Sequence, residues 1–174
     1  RNGCPIGAIY GYVEDGFYDN LAEVMASPSA DIRAKGAGMI GEIKYRNFDD
    51  NPDITSADRV IIGDTNPDFV YGLTSNFEWK GVTLSFFLQG SQGNDIFNGN
   101  LMDMKMGNVG NITREAYNTR WTEANAAQAK WPKAVSGYER NMLISNRYVE
   151  DGSYLKLKSL NIGYVWKPNF KGIS

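Results

Sequence analysis

Side chains that can bind a cation are concentrated in one proline-containing stretch, residues 49–72, which reads DDNPDITSADRVIIGDTNPDFVYG. Eight of its residues carry a carboxylate or a carboxamide. Short oxygen-bearing side chains at alternate positions can hold a calcium ion, brace a turn through hydrogen bonds to backbone N–H groups, or remain solvated. The residue types alone leave these three possibilities open.

The residue types that most often carry catalysis are scarce in this chain of 174 residues. There is no histidine, and Cys4 is the single cysteine. Ser-His and Cys-His nucleophile pairs, imidazole or cysteine metal sites and an internal disulfide are therefore excluded. The formal net charge is −2 and there is no basic block, so a nucleic-acid partner is not predicted. This composition favours a protein that is not an enzyme.

The length fits one domain or a piece of a larger one. No apolar run approaches the roughly 18 residues of a transmembrane helix, and the first twelve residues, RNGCPIGAIYGY, lack the features of a signal peptide. The mean hydropathy of −0.42 is compatible with a water-soluble protein or with a β-barrel that carries long polar loops.

Apolar and polar residues alternate on both sides of Lys80-Gly81, which predicts a tight antiparallel β-hairpin. The arms are residues 71–79 and 82–89, each about as long as the 9–11 residues of a tilted transmembrane strand. The same pattern also fits half of a water-soluble sheet. We expect one face of the hairpin to carry five apolar side chains: Leu73, Phe77, Val82, Leu84 and Phe86.

A further strand is predicted in residues 153–168, SYLKLKSLNIGYVWKP. Lysines come first, followed by an apolar band, by aromatic residues and by a proline that ends the strand. This order is typical of a strand that passes from water into a bilayer. Strict alternation would place seven side chains on one face: Tyr154, Lys156, Lys158, Leu160, Ile162, Tyr164 and Trp166.

Between these strands lies a long polar stretch, residues 90–152, and connections of this length are usually functional or disordered. Within it, Asn111 is a candidate N-cap for a short helix, and Asn20 with Glu23 forms a capping-box pattern earlier in the chain. Aromatic residues of the long stretch either contact a sugar or a partner protein, or form the loop's own core. These residues are Trp121, Trp131, Tyr138 and Tyr148.

The order of short motifs resembles the C-terminal part of the SusC/RagA-like TonB-dependent transporters of bacterial outer membranes. Members of that family share a series of motifs in a fixed order. The run D-x-N-x-D-G-x-I-x-x-x-D-R-x-I-I-G comes first and N-P-D-F-x-Y-G second. A strand, the turn Y-K-G, a second strand and F-x-Q-G-x-x-G-N-D-I follow. The matching segments here are GEIKYRNFDDNPDITSADRVIIG, NPDFVYG, WKG and FLQGSQGNDIFN, with PIGAIYGYVEDGFY before them and RWTEANA and NRYVEDGSYLKLKSLNIGY after them. The resemblance covers nearly the whole chain, residues 1–174.

This resemblance implies an all-β, mainly antiparallel fold: a fragment of a large transmembrane β-barrel whose long extracellular loops contain short helices. The implied function is import of oligosaccharides or peptides across the outer membrane, with a SusD-like surface lipoprotein as partner. TonB would act through an N-terminal plug that this stretch does not include. An open sheet leaves its edges unpaired in lipid, so we expect a larger parent protein.

When the chain is aligned on the family's acidic run, residues 47–58 have the spacing of an EF-hand loop. Its oxygen ligands would be the side chains of Asn47, Asp49, Asn51 and Asp58 and the backbone carbonyl of Asp53. Asn47 replaces an aspartate, Pro52 replaces the glycine of the sharp turn, and aspartate replaces glutamate at the last position. We therefore expect any calcium to bind weakly, and a turn braced by side-chain hydrogen bonds is the alternative.

The pair Glu150-Asp151 lies in the family's D-G-S-Y motif and is interpreted as a turn before a strand, not as a catalytic acid pair. The remaining alternative for the chain as a whole is a soluble secreted or cell-surface carbohydrate-binding β-domain with a calcium-braced loop. A sequence upstream that contains a plug domain would decide between the two.

Overall fold

The computed structural model describes residues 3–106, 110–135 and 139–166. Contacts divide the chain into two compact units. The strand unit comprises residues 66–95 and 151–174, and the loop unit comprises residues 1–65 and 96–150. Among the described residues, no helix combines the length and the apolar character that a membrane crossing requires.

Nine β-strands and four short α-helices are found in the described part of the chain. The strands are β1 (Ala8–Gly11), β2 (Glu14–Phe17), β3 (Ile43–Tyr45), β4 (Val60–Asp64), β5 (Phe69–Trp79), β6 (Val82–Gln92), β7 (Asp95–Phe97), β8 (Val149–Asp151) and β9 (Tyr154–Tyr164). The helices are α1 (Leu21–Ala26), α2 (Ala30–Lys35), α3 (Gly99–Met106) and α4 (Arg114–Thr119). The paired strands run antiparallel in β1–β4, β2–β3, β5–β6 and β6–β9, and β7 lies beside β8.

The strand unit is built on the predicted hairpin, which the structure confirms. Strand β5 pairs with β6 in continuous register from Phe69–Gln92 to Trp79–Val82, across the turn at Lys80-Gly81. Both turn residues have positive φ, 47° at Lys80 and 84° at Gly81, as a two-residue turn that follows the strand twist requires. Strand β9 adds to the other side of β6.

One face of this sheet is apolar, because residues that pair directly across strands share a face. Phe77 pairs with Leu84, and Leu84 pairs in turn with Ile162. The five apolar residues predicted for one face of the hairpin do lie on it, as the register shows. The opposite face is mainly polar: Asn76 pairs with Ser85, which pairs with Asn161.

The predicted sharing of one face along β9 is wrong at its first half. The register with β6 shifts by one residue at Lys158, where Ser159 pairs with Phe87 but Leu157 pairs with Leu88. Such a β-bulge adds one residue to one strand and reverses the alternation beyond it. Tyr154 and Lys156 therefore lie on the polar face, and Leu155 and Leu157 continue the apolar face.

The loop unit is held by two clusters of buried apolar side chains. One cluster joins β3, α4 and the end of the long loop, and consists of Ile43, Tyr45, Ala116, Trp131 and Tyr148. The other packs α1 and α2 onto the segment before β3, and consists of Tyr18, Val24, Ile32 and Met39. The long polar stretch is therefore an ordered part of a packed unit where the structure describes it.

The short helices begin at side-chain caps, which satisfy N–H groups of the first turn. Asn20 Oδ1 accepts a hydrogen bond from Glu23 N (3.0 Å), and Glu23 Oε2 accepts one from Asp19 N (3.2 Å). Asn111, predicted to cap a helix, is not the N-cap. Thr113 caps α4 instead, because its Oγ1 accepts a hydrogen bond from Ala116 N (3.2 Å).

Candidate functional site

The acidic loop is a ladder of side chains that accept hydrogen bonds from the backbone two residues ahead. Asn47 Oδ1 accepts from Asp49 N (2.9 Å), Asp49 Oδ1 from Asn51 N (2.8 Å), and Asn51 Oδ1 from Asp53 N (3.1 Å). Each bond closes an Asx turn, which stabilises a loop without regular secondary structure. The alternating spacing of oxygen-bearing residues thus corresponds to three successive turns.

Asp58 is the anchor of this loop. Its side chain is fully buried, and its two oxygens accept hydrogen bonds from Phe48 N (2.8 Å) and Thr55 N (2.7 Å). The bond to Thr55 belongs to a capping box at the 3₁₀ turn Ser56–Asp58. One carboxylate therefore joins the beginning and the end of the loop.

The structure brings the proposed metal-binding residues into one loop, but at least one side-chain oxygen of each already accepts a hydrogen bond. Both Asp58 oxygens bind backbone N–H groups, and Asp53 Oδ1 accepts the Ser29 hydroxyl at 2.5 Å. Within the described part of the chain, no group of three or more Asp, Glu, Cys or His side chains is placed to hold a metal ion. The hydrogen bonds are those of a braced turn.

The Ser29–Asp53 bond also attaches the acidic loop to α2, beside a cleft of about 480 Å³. The cleft lies entirely within the loop unit, between β2, β3, the two helices and the acidic loop. It is lined by Asp15, Tyr18, Glu23, Ala26, Ser27, Pro28, Ile32, Lys44, Tyr45, Arg46, Asn47, Pro52 and Ile54. A cavity of this size is within the range of small-molecule sites.

Sequence reasoning missed the charged residues of this cleft. Lys44 and Arg46 flank the buried Tyr45 at a spacing of two, which places both on the opposite side of the strand from the core. That alternation is the one signal in the sequence that could have found them. Asp15 lies on β2 next to Glu14, the residue that pairs with Tyr45. It lines the same cleft as Lys44 and Arg46.

Three of the four aromatic residues considered for substrate or partner contact are buried. Trp121 and Trp131 are 7% and 8% exposed, and Tyr148 is fully buried. Trp121 Nε1 donates to Asp19 Oδ1 (2.9 Å), and the Tyr148 hydroxyl donates to the Asn141 carbonyl (3.0 Å). Tyr138 lies outside the described residues. Trp131 and Tyr148 belong to the buried cluster shared with β3, and the Trp121 ring packs against Gly41. Contact with a ligand would therefore require these side chains to leave their packed positions.

A partly buried ion pair connects β2 to the end of the long loop. Arg147 Nε donates to Glu14 Oε1 (2.9 Å), and a second guanidinium nitrogen binds Glu14 Oε2. The Ser145 hydroxyl donates to Glu14 Oε1 (2.7 Å), and Arg147 also donates to the Lys130 carbonyl. The guanidinium lies 5.2 Å from the centre of the Trp131 ring. The pair has a structural geometry, since both charged groups are fully engaged.

A second buried carboxylate, Glu42, is less completely paired. Its side chain is 1% exposed; Oε1 lies 3.6 Å from Lys133 Nζ, whereas Oε2 has no hydrogen-bond partner among the described residues. Burial raises the pKa of Glu42, and the nearby charge of Lys133 opposes this only in part. Burial likewise raises the pKa of Tyr45 and Tyr148 above the usual range for a phenol.

The acidic pair before β9 has the geometry of a turn. Asp151 Oδ1 accepts a hydrogen bond from Ser153 N (2.8 Å), and the hydrogen bonds from Ser153 lower the pKa of Asp151. Glu150 accepts hydrogen bonds from Asn98 Nδ2, at 3.2 Å to each carboxylate oxygen. Both acids thus stabilise the chain as it enters the strand.

No protein-family model matches the chain. Curated relatives do: TonB-dependent receptor P3 of Formosa agariphila is 36% identical over 174 residues, which are 99% of this chain and 16% of that protein. The chain belongs to the TonB-dependent receptor family. TonB-dependent receptor P26 of the same organism is 30% identical to this receptor chain over 127 residues, 72% of the chain and 13% of that protein.

The receptor chain therefore spans less than a fifth of the length of the relatives that it matches. A third relative, TonB-dependent receptor P39 of the same organism, is 25% identical over 74% of the chain. The family expected from the sequence motifs is confirmed at this level. The fold class is confirmed as well, since antiparallel sheets dominate the receptor chain and its helices are short.

Replacing the anchor of the acidic loop should loosen the loop locally. Asp58→Ala leaves the N–H groups of Phe48 and Thr55 without acceptors, which we expect to cost about 2 kcal/mol and to accelerate amide exchange there about 30-fold. Hydrogen–deuterium exchange of peptides covering residues 47–58 measures this. Asp50→Ala, at an exposed position of the same loop, is the matched control and should leave exchange unchanged. Equal exchange in the two variants would contradict the anchoring role.

Because the pKa of Glu42 is raised, we expect the stability of the loop unit to depend on pH. Because folding favours the protonated carboxyl, Glu42 contributes stability below the ordinary pKa of 4.5, and this is lost as the pH rises through the folded-state value. Glu42→Gln should therefore reduce the gain in stability of the loop unit as the pH falls from neutrality towards 4.5. Amide exchange of residues 41–45 at several pH values is the measurement, with the exposed Glu123→Gln as control. An unchanged pH profile in Glu42→Gln would refute the assignment.

Proposed function

We propose that this chain forms part of an outer-membrane importer energised by TonB. The single observation that carries the proposal is the three-stranded sheet of the strand unit, whose apolar and polar sides are separated by face. Membership of the TonB-dependent receptor family supports it. A transmembrane barrel needs this separation, because one face meets lipid and the other meets the aqueous interior.

The apolar face is unusually open for a protein surrounded by water. Phe77 is 58% exposed, Leu160 54% and Ile162 74%. Contiguous apolar patches of this kind on soluble proteins mark interaction surfaces or aggregation hazards. In a bilayer the same side chains need no protein cover, since the hydrocarbon itself is their environment.

The dimensions of the sheet also support a transmembrane position. Its three strands have eleven residues each, at the upper end of the 9–11 residues that a tilted strand needs. Trp79 and Tyr164 lie at the turn end of the sheet, and Phe69 and Tyr71 lie at the other end. Aromatic residues at both ends are typical of the girdles at the two membrane surfaces.

The parent protein would supply the rest of the barrel. Within the described residues, β5 and β9 are the outer strands of the sheet and each has one edge without a partner. In lipid these edges must pair with further strands, because unpaired backbone groups there cost several kcal/mol each, on the order of 2–7. A receptor of the relatives' length has ample chain for those strands and for a plug on which TonB acts.

We propose a SusC-type importer of oligosaccharides or peptides, with a SusD-like surface lipoprotein as its partner. The motif series that runs from PIGAIYGYVEDGFY to DGSYLKLKSLNIGY supports this assignment. A transport role also agrees with the contacts of the acidic pair Glu150-Asp151, whose carboxylates accept structural hydrogen bonds. By the same resemblance, the long stretch of residues 90–152 would be an extracellular loop of the importer.

Two neighbouring phenylalanines offer a matched test of the membrane assignment. Phe86 lies on the apolar face and Phe87 on the polar face of the same strand. In the full-length receptor, Phe86→Arg should reduce the free energy of insertion into lipid vesicles by about 2–4 kcal/mol, whereas Phe87→Arg should cost about 0–1 kcal/mol. Phe86→Ala separates the loss of the Phe77–Phe86 ring contact from the cost of the charge.

Insertion is measured by equilibrium folding into vesicles, with Trp79→Arg as a position near the membrane surface. The membrane assignment requires costs that are large at Phe86 and small at Phe87 and Trp79. Equal costs at Phe86 and Phe87 would instead indicate a sheet covered by protein on both sides, as in a soluble carbohydrate-binding domain.

For the acidic loop we propose weak calcium binding at most, because the Asp58 carboxylate is already occupied. Calorimetric titration of the full-length receptor with calcium should show a dissociation constant weaker than about 10⁻³ M, the weak end of extracellular calcium modules. Asp49→Ala, which removes the exposed anionic side chain among the proposed ligands, should abolish any remaining signal. A micromolar affinity that is lost in Asp49→Ala would show a genuine calcium site.

A further inference from the structure

The cleft of the loop unit is preorganised by bonds that do not involve its charged rim. Arg33 donates to the carbonyl oxygens of Ser27 (2.5 Å) and Pro28 (2.7 Å), which fixes the connection between α1 and α2. The Ser29 hydroxyl binds Asp53 on the acidic loop. The helices and the loop that form opposite walls are thus held in place before any ligand binds, which lowers the entropic cost of binding.

Two of the four charged side chains of the cleft pair with each other, and the other two form no ion pair within the described part of the chain. Glu23 Oε2 accepts the Asp19 N–H and lies 3.8 Å from Lys44 Nζ. Asp15 and Arg46 also line the cleft, are exposed, and make no ion pair with any residue that the structure describes. The Arg46 guanidinium lies 5.9 Å from the centre of the Phe48 ring, which leaves its N–H groups available to a carboxylate. The cleft therefore offers one carboxylate and one guanidinium to a ligand.

Between these charges the cleft surface is largely aliphatic. Its apolar lining comes from Ala26, Pro28, Ile32, Pro52 and Ile54. Tyr18 and Tyr45 are each only 5% exposed, so their ring faces are packed in the core and do not form a platform. Sugar rings bind characteristically by stacking on open aromatic faces, whereas an aliphatic side chain needs only an apolar wall.

We propose that this cleft binds a short zwitterionic peptide with aliphatic side chains. The ammonium group pairs with Asp15, the carboxylate pairs with Arg46, and the side chains lie against the aliphatic wall. Arg is well suited to the terminal carboxylate, because its guanidinium can donate two parallel hydrogen bonds. The proposal deepens the proposed import function, on which it rests for the origin of the ligand, by selecting peptides over oligosaccharides at this site.

The test uses the purified full-length receptor and titration calorimetry with leucyl-leucine as the probe. We expect saturable binding of leucyl-leucine, binding about fivefold weaker for N-acetyl-leucyl-leucine and for leucyl-leucine amide, and none for maltose. Each capped peptide lacks one of the two terminal charges. Absence of saturable binding up to about 10 mM, or equal binding of free and capped peptides, would overturn the proposal.

Two variants assign the terminal groups to their partners. Asp15→Asn should weaken binding of the free dipeptide about fivefold and leave binding of the N-acetylated dipeptide unchanged. Arg46→Gln should likewise weaken binding of the free dipeptide about fivefold and leave binding of the amidated dipeptide unchanged. Asp50→Asn and Arg59→Gln make the same changes at exposed positions outside the cleft and should have no effect. Equal effects of cleft and control variants would place the binding elsewhere.

The outcome for the cleft is separable from the outcome for the importer. Binding is measured on purified protein, whereas membrane insertion and energised uptake are measured in vesicles and cells. A receptor that binds the dipeptide but fails to insert contradicts the importer alone. A receptor that inserts and transports but does not bind the dipeptide contradicts the cleft assignment alone.

Discussion

The loop unit depends on one guanidinium. Arg147 holds Glu14 on β2, the carbonyl of Lys130 in the long loop, and the face of the Trp131 ring at the same time. The pair is partly buried, so removing one partner would leave the other charge unpaired and incompletely hydrated. Glu14 and Arg147 are 133 positions apart in the chain. Hydrogen bonds from Ser145 and to Asn146 join the same segments, so these contacts together fix β2 to the end of the long loop.

The elements that the sequence predicts well are those set by local rules. The hairpin follows from alternation around Lys80-Gly81, since a two-residue turn with positive φ at both positions defines the register of both arms. Asn20 caps α1 because an amide oxygen and a free N–H group lie three residues apart. The family motifs extend this to the long loop only in outline, because its order depends on distant contacts such as Glu14 with Arg147.

What the sequence does not predict is set by neighbours that are distant along the chain. Within β9 the bulge at Lys158 shows only as a switch of the apolar positions from Leu155 and Leu157 to Leu160 and Ile162, and pairing with β6 turns this switch into a register shift. Asp58 has the right type and spacing for a ligand, yet burial and two backbone donors make it a brace. Asp15, Lys44 and Arg46 become a site only because α1, α2 and the acidic loop close around them.

The bulge in β9 also bears on how the receptor's strands can change over evolution. Without Lys158 the strand would read LKLSLNIGY from Leu155 to Tyr164, an unbroken alternation with the same leucines and isoleucine facing outwards. The sheet tolerates the additional residue, since the register absorbs it at one point instead of turning the rest of the strand over. A strand one residue shorter at this position would therefore present the same side chains on the apolar face. An alignment that forbids a gap there would place Lys156 on the wrong side of the sheet.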